Sequence, residues 1–182
     1  MIDRYSTDIF LDRFAHSGYF FFEPLQFHSA ALTALPSGHP DRPSPALMSA
    51  VYLWGCVLFS PKSASPYPED HFLPAALQSV ASDISCISTH QKLILETIQT
   101  EVLLSLYYLH MGVAVEGRSH AATAASLALS AGLHQMGATT HASAPGFIVA
   151  APLPPPQLDS SSTDYLQRVN AFWAAGRRRG VS

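Results

Sequence analysis

Charged side chains are scarce in this chain of 182 residues. Lysine, arginine, aspartate and glutamate make up 13% of it, which is about half the share of an average soluble protein. The net charge is −3 with histidine neutral, so the chain as a whole has no electrostatic attraction to nucleic acid. The basic run Arg177–Arg179 is typical of a solvated tail. The low charge predicts that something outside this sequence covers part of the surface.

Cysteine and long apolar runs are also scarce. Cys56 and Cys86 are the two cysteines, and neither belongs to a CxxC or cysteine–histidine spacing that binds zinc. We expect both to be buried and reduced. No signal peptide is expected, because the first residues are polar and acidic. The apolar run Leu47–Phe59 falls short of the ~20 residues that span a bilayer, so no membrane association is expected.

The sequence lacks the short motifs of common enzyme classes. It contains no GxSxG, GxGxxG, HExxH or phosphate-binding loop. Nine histidines are present, but no two are four residues apart, the spacing of a helical metal site. His110 and His120 flank one predicted turn. Glu96 follows Lys92 by four residues, a spacing that predicts a surface ion pair between them. We therefore expect no enzymatic activity, no metal and no cofactor in this chain.

Apolar residues at helical spacing predict seven helices. Their approximate limits are 7–16, 24–35, 45–60, 69–85, 89–111, 118–131 and 164–173. The sequence therefore predicts an all-α fold of helical hairpins packed as an irregular array. We expect a helical domain over residues 1–136, a loop rich in proline, serine and alanine over 137–163, and a short helix with a tail over 164–182.

Polar side chains mark two of the predicted helix starts. Ser6 or Thr7 is expected to cap the first helix, and Ser44, just before a proline, to cap the third. The aliphatic stem of Arg13 is expected to face the core together with its apolar neighbours on the first helix.

Residues 98–134 predict a hairpin of two unlike helices. The first helix carries large side chains on most sides, so we expect it to be buried between neighbours. The second is rich in alanine, which lets two helix backbones approach closely. Gly112–Gly117 is the predicted connection, and Gly132 is a predicted left-handed C-cap. Close packing predicts that Ala125→Leu separates the two helices at a cost of about 1–3 kcal/mol.

Four consecutive aromatic residues, Tyr19–Phe22, have no helical period and precede a Glu-Pro pair, which favours an extended segment. The segment either plugs the core between helices or lines a ligand groove. The residues that would line this groove are Phe20, Phe21, Phe22, Trp54 and Tyr108. Tyr107 and Tyr108 are expected to fill the core of the hairpin.

The hairpin also resembles a known family, the fungal-specific transcription factor domain, which is the middle homology region of fungal binuclear zinc-cluster transcription factors. The segments that carry the resemblance are, in order, Ile98–Leu109, Glu116-Gly117, Ala128-Leu129 and Gly132-Leu133-His134. The resemblance is strongest over residues 45–134 and extends over about residues 7–173, where Arg168, Phe172 and Trp173 are in place. Family members continue beyond that tryptophan with a further helix, whereas this chain has Ala174–Gly180. We therefore expect a truncated domain, incomplete at its C-terminal end.

The resemblance implies a regulatory domain that modulates transcription in the nucleus. In that family, DNA binding and zinc belong to a separate six-cysteine cluster, which two cysteines cannot build, so this chain would reach DNA only through an absent module. The implied partners are a second copy, an intramolecular segment or a small-molecule effector. Glu116 and Arg118 lie where the family often keeps polar contacts at the hairpin mouth. The alternative is a stand-alone helical ligand-binding or scaffold module with no role at DNA.

Overall fold

The computed structural model describes residues 2–59, 69–86 and 91–133. Within these ranges the chain forms six α-helices and no strand, which confirms the predicted all-α fold. The helices are α1 (Ile2–Phe14), α2 (Pro24–Ala31), α3 (Pro45–Leu58), α4 (Glu69–Cys86), α5 (Gln91–His110) and α6 (Ala114–Ser130). The loop and helix expected over residues 137–173, and the tail after them, lie outside the described residues.

Helix α1 begins earlier than the sequence analysis placed it. Ser6 and Thr7, which were expected as helix caps, lie inside the helix and are buried. Ser6 is buried because α1 crosses α3 closely at this residue. A Cβ added at Gly55 would lie 2.7 Å from Ser6 Cβ. Only small side chains fit between the two backbones at this point. The expectation for Arg13 was also wrong, because this residue is exposed.

Polar side chains cap the next two helices. The Glu23 carboxylate accepts hydrogen bonds from two backbone N–H groups in the first turn of α2. This helix ends at Ala31, short of the predicted limit at residue 35. Ser44 caps α3 as predicted, because its Oγ accepts a hydrogen bond from the Leu47 N–H at 3.3 Å.

Neither cysteine is buried, contrary to the prediction. Cys56 on α3 is half-buried, Cys86 at the end of α4 is exposed, and neither is in a disulfide. Consecutive residues point about 100° apart around a helix. Apolar neighbours in the sequence therefore do not decide whether a helical residue faces the core.

Helices α5 and α6 form the predicted hairpin, but the connection is shorter than expected. Gly112, with φ +77°, makes the turn, and α6 already begins at Ala114. Gly117 therefore lies inside α6, where a Cβ would lie 2.7 Å from Leu109 Cγ. The glycine predicted as part of the turn instead lets the two helices touch. Past the other end of α6, Gly132 has φ +69°, as its predicted role of C-cap requires.

Helix α5 lies between two hydrophobic clusters, which confirms that it is buried on most sides. The larger cluster draws on α1 to α4 and receives Leu103, Leu104 and Tyr107 from α5. The smaller one fills the hairpin and receives Leu95, Ile98 and Val102. Exposed residues lie near the two ends of the helix, at Lys92 and at Leu109 and His110. Among the described helices, none is both long enough and apolar enough to cross a membrane.

Candidate functional site

The aromatic segment, Tyr19–Phe22, lies in the core. Phe20 is buried, with its ring centroid 5.3 Å from that of Phe10 and 5.1 Å from that of Phe27. Phe21 is buried in the hairpin cluster, and Phe22 is half-buried beside both. The segment therefore fills the space between the two clusters, which was the first of the two interpretations drawn from the sequence.

Gln99 holds this segment against α5. Its side chain is fully buried. Its Nε2 donates to the Tyr19 carbonyl at 2.9 Å, and its Oε1 accepts from the Phe21 N–H at 3.0 Å. The Gln99 amide thus satisfies one backbone N–H and one backbone carbonyl of the aromatic segment. Because this segment is not helical, these two groups have no backbone partner within a helix.

Trp54 differs from the other residues of the predicted groove. Its Nε1–H donates to the Leu103 carbonyl at 3.1 Å. Its ring packs against those of Phe14, Tyr107 and His110, with centroids 4.9, 6.4 and 5.9 Å away. The ring also lines a surface cavity of about 600 Å³ where α1, α3 and α5 end, here called the Trp54 pocket. Of the five residues expected to share a groove, Trp54 alone lines this pocket.

The Trp54 pocket combines apolar and polar lining. Its apolar side chains are Phe14, Trp54, Val57 and Leu58. Its polar side chains are Asp12, Arg13, His16, Ser17, Tyr19 and His110. Three helix ends and the turn after α1 thus bring together an aromatic surface, several hydrogen-bond donors and one carboxylate.

The two adjacent tyrosines of α5 differ in their surroundings. Tyr107 is buried in the larger cluster and not in the core of the hairpin, where it was expected. Tyr108 is half-buried and stacks on His120 of α6, with ring centroids 5.3 Å apart and planes 6° apart. Burial raises the pKa of Tyr108 above its ordinary value, and the negative charge of Glu116 adds to this effect. Both tyrosines thus serve packing, and Tyr108 faces the hairpin rather than a groove shared with the aromatic segment.

His120 is also held by a buried carboxylate. Glu101 is 2% exposed, and its Oε2 accepts a hydrogen bond from His120 Nδ1 at 2.6 Å. An imidazole fixed through Nδ1 presents Nε2 as an acceptor for a proton or a metal. In the part of the chain that the structure describes, no group of three or more His, Cys, Asp or Glu is arranged to hold a metal ion. His110, the other histidine flanking the turn, packs on Trp54 instead.

Glu96 departs most from the sequence analysis. It was expected in a surface ion pair with Lys92, yet it is only 5% exposed. Its Oε2 accepts from the Ser44 N–H at 3.1 Å, and its Oε1 lies 3.5 Å from Lys92 Nζ. The Lys92 ammonium also donates to the carbonyls of Pro40 and Arg42. Lys92 and Glu96 together therefore tie the loop before α3 onto α5.

A second carboxyl group, that of Asp83 on α4, lies in the same place. Its Oδ2 is buried and has no hydrogen-bond partner among residues 2–59, 69–86 and 91–133. Burial raises the pKa of Asp83, and the Ser44 hydroxyl partly opposes this. Burial also raises the pKa of Glu96 to about 7, with the Lys92 charge opposing the change and Asp83 adding to it. The carboxyl cluster is the name used here for Ser44, Asp83, Lys92 and Glu96. It joins α3, α4 and α5 at a point where negative charge is unfavourable.

Sequence reasoning missed the burial of Gln99 and Glu101 and placed Glu96 on the surface, although a signal was available. A helix buried on most sides buries most of its polar residues, and buried polar groups are usually paired. Ser105 is an exception, because its buried Oγ has no hydrogen-bond partner among the described residues. Thr97 and Thr100 follow this rule, since each hydroxyl donates to the carbonyl four residues earlier. The signal predicts burial but does not identify the partners, which come from distant parts of the chain.

Comparison of the chain with protein-family models, with curated proteins and with solved structures found no match. The functional interpretation therefore depends on the residues of this chain and on the resemblance that they carry. Three features of the described residues bear on function: the α5–α6 hairpin, the Trp54 pocket and the carboxyl cluster.

Proposed function

We propose that this chain is the helical regulatory domain of a fungal zinc-cluster transcription factor. The position of the resembling residues supports this most directly. Ile98–Leu109 forms much of α5, Glu116-Gly117 lies in the first turn of α6, and Ala128-Leu129 and Gly132-Leu133 lie at its end. Residues that resemble one family in sequence thus belong to one packed unit, instead of being scattered over the molecule.

The proposed activity is modulation of transcription through contacts with protein. DNA binding and zinc are assigned to a zinc-cluster module outside this chain, since the two cysteines cannot hold two zinc ions. The proposed partner is a second copy or another segment of a longer protein, the proposed location is the nucleus, and no catalytic role or cofactor is assigned. The low share of charged residues, 13%, supports a domain that is partly covered by another surface.

A tethering assay in fungal reporter cells tests this function. The whole chain is inserted between a heterologous DNA-binding domain and an activation domain, and reporter output is compared with that of the same fusion without the chain. A regulatory domain is expected to change the output several-fold. Output equal to that of the fusion without the chain would contradict the proposal.

Two variants of α6 provide the matched control for this assay. Ala125 is buried and Ala122 is exposed on the same helix. Ala125→Leu overpacks the hairpin and is expected to abolish the regulatory effect, whereas Ala122→Leu is expected to retain it. Equal effects of the two variants would mean that the reporter response does not depend on the folded hairpin.

The second candidate is a stand-alone helical module that binds a small molecule or a partner helix and has no role at DNA. The Trp54 pocket favours it, because an aromatic surface beside several polar groups is typical of small-molecule sites. Sequencing the transcript across both ends of the reading frame separates the two candidates. A message that continues upstream into a six-cysteine cluster supports the regulatory domain. A message that begins at Met1 and stops after Ser182 supports the stand-alone module.

A further inference from the structure

We propose that the Trp54 pocket binds a small organic anion, a carboxylate joined to a compact apolar body. This binding site is independent of the transcriptional role proposed above, because it requires only the ends of α1, α3 and α5 and the turn after α1. The pocket supplies an aromatic surface for the apolar body and a set of N–H donors for the carboxylate.

The apolar lining suits a compact apolar group. The cavity of about 600 Å³ has the usual size of a small-molecule site. The rings of Phe14 and Trp54, with centroids 4.9 Å apart and planes 64° apart, meet edge to face and line the cavity together with Val57 and Leu58. The Trp54 Nε1–H already donates to the Leu103 carbonyl. The indole therefore offers apolar contact to a ligand and no hydrogen bond of its own.

The polar lining favours an anion because donors outnumber carboxylates. Arg13, His16 and His110 carry N–H groups, while Asp12 is the one carboxylate among the lining residues. A guanidinium presents paired N–H groups that match the two oxygens of a carboxylate. The imidazole N–H groups of His16 and His110 add donors that an ammonium group could not use.

A cationic ligand would fit this pocket less well. The Trp54 ring and the Asp12 carboxylate would both attract an ammonium group. Arg13, however, follows Asp12 directly in the sequence and lines the same pocket, so its positive charge opposes that attraction. The lining has no second carboxylate to outweigh it.

Binding of three matched probes tests the site, namely phenylbutyrate, phenylbutyramide and phenylbutylamine. Trp54 fluorescence is recorded in the full chain carrying Trp173→Phe, since the sequence has two tryptophans. Phenylbutyrate is expected to give a saturable change. The amide and the amine are expected to bind roughly tenfold more weakly or worse, the effect of losing one charge-assisted hydrogen bond.

Two arginines on α1 give a matched pair of variants. Arg13→Gln is expected to weaken phenylbutyrate binding by roughly tenfold or more, while amide binding stays unchanged. Arg4 is also exposed and precedes Arg13 by nine residues, which places it on about the opposite side of the helix. Arg4→Gln is therefore expected to bind phenylbutyrate like the parent chain. His110→Gln, at the exposed end of α5, is expected to weaken binding several-fold.

Three results would overturn the proposal. Equal affinity for the acid, the amide and the amine would exclude recognition of an anion. Equal losses in Arg4→Gln and Arg13→Gln would place the anion away from this pocket. The absence of a saturable Trp54 response to phenylbutyrate would exclude the site itself.

Discussion

Replacing Glu96 by glutamine tests how unfavourable a negative charge is in the carboxyl cluster. Burial raises the pKa of Glu96 from 4.5 to about 7, so the folded state holds this proton more tightly than the unfolded chain does. The protonated Glu96 carboxyl therefore contributes its whole share of the free energy of unfolding below pH 4.5. This contribution is lost as the pH rises to about 7 and stays lost above that. At about 1.4 kcal/mol per pKa unit, the loss amounts to as much as roughly 3 kcal/mol.

Glutamine keeps the size of the side chain and an oxygen that can accept the Ser44 N–H, but it cannot ionise. Relative to the parent chain, the free energy of unfolding of Glu96→Gln is expected to rise by up to roughly 3 kcal/mol between about pH 5 and about pH 8. Urea unfolding followed by circular dichroism, at several pH values and constant ionic strength, measures this difference. Because the two proteins share all other titrating groups, their difference reports residue 96 together with its coupling to Asp83 and Lys92.

Glu116→Gln is the control for this experiment. It removes the same charge from an exposed position on α6, so its stability difference from the parent chain is expected to stay within ~0.5 kcal/mol over the same pH range. If the two variants show the same flat pH dependence, burial does not disfavour the Glu96 carboxylate and the interpretation of the cluster is wrong.

Two further substitutions test the packing around α5. Ala125→Leu is expected to lower the free energy of unfolding by about 1–3 kcal/mol through overpacking. Ala122→Leu, at an exposed position of α6, is expected to change it by less than ~0.5 kcal/mol. Equal losses in the two variants would contradict close packing of the hairpin. Gln99→Leu leaves one N–H and one C=O of the aromatic segment unpaired and is expected to destabilise the protein by about 1–3 kcal/mol, with faster hydrogen exchange at the Phe21 amide. Gln26→Leu, at an exposed position of α2, is its control, and unchanged exchange at Phe21 would show that Gln99 does not hold the segment.

Local patterns in the sequence predicted much of the fold. The all-α class, the burial of α5, the Ser44 cap and the Gly132 C-cap follow from residues within a few positions of one another. A helix makes its own hydrogen bonds and repeats every 3.6 residues or so. The apolar period and the capping residues are therefore sufficient to identify it. The family resemblance comes from the same local residues and stays a prediction.

The tertiary structure alone decided which polar groups meet. Glu96 binds the backbone of Ser44, which is 52 positions away, and Gln99 binds that of Phe21, which is 78 positions away. The contact between Gly117 and Leu109 is also a product of the tertiary structure. In the sequence, Gly117 indicated only a turn. A helical period shows which face of an element is apolar, but not which other element covers it. The partners and the raised pKa of Glu96, like the lining of the Trp54 pocket, are set only when the helices pack.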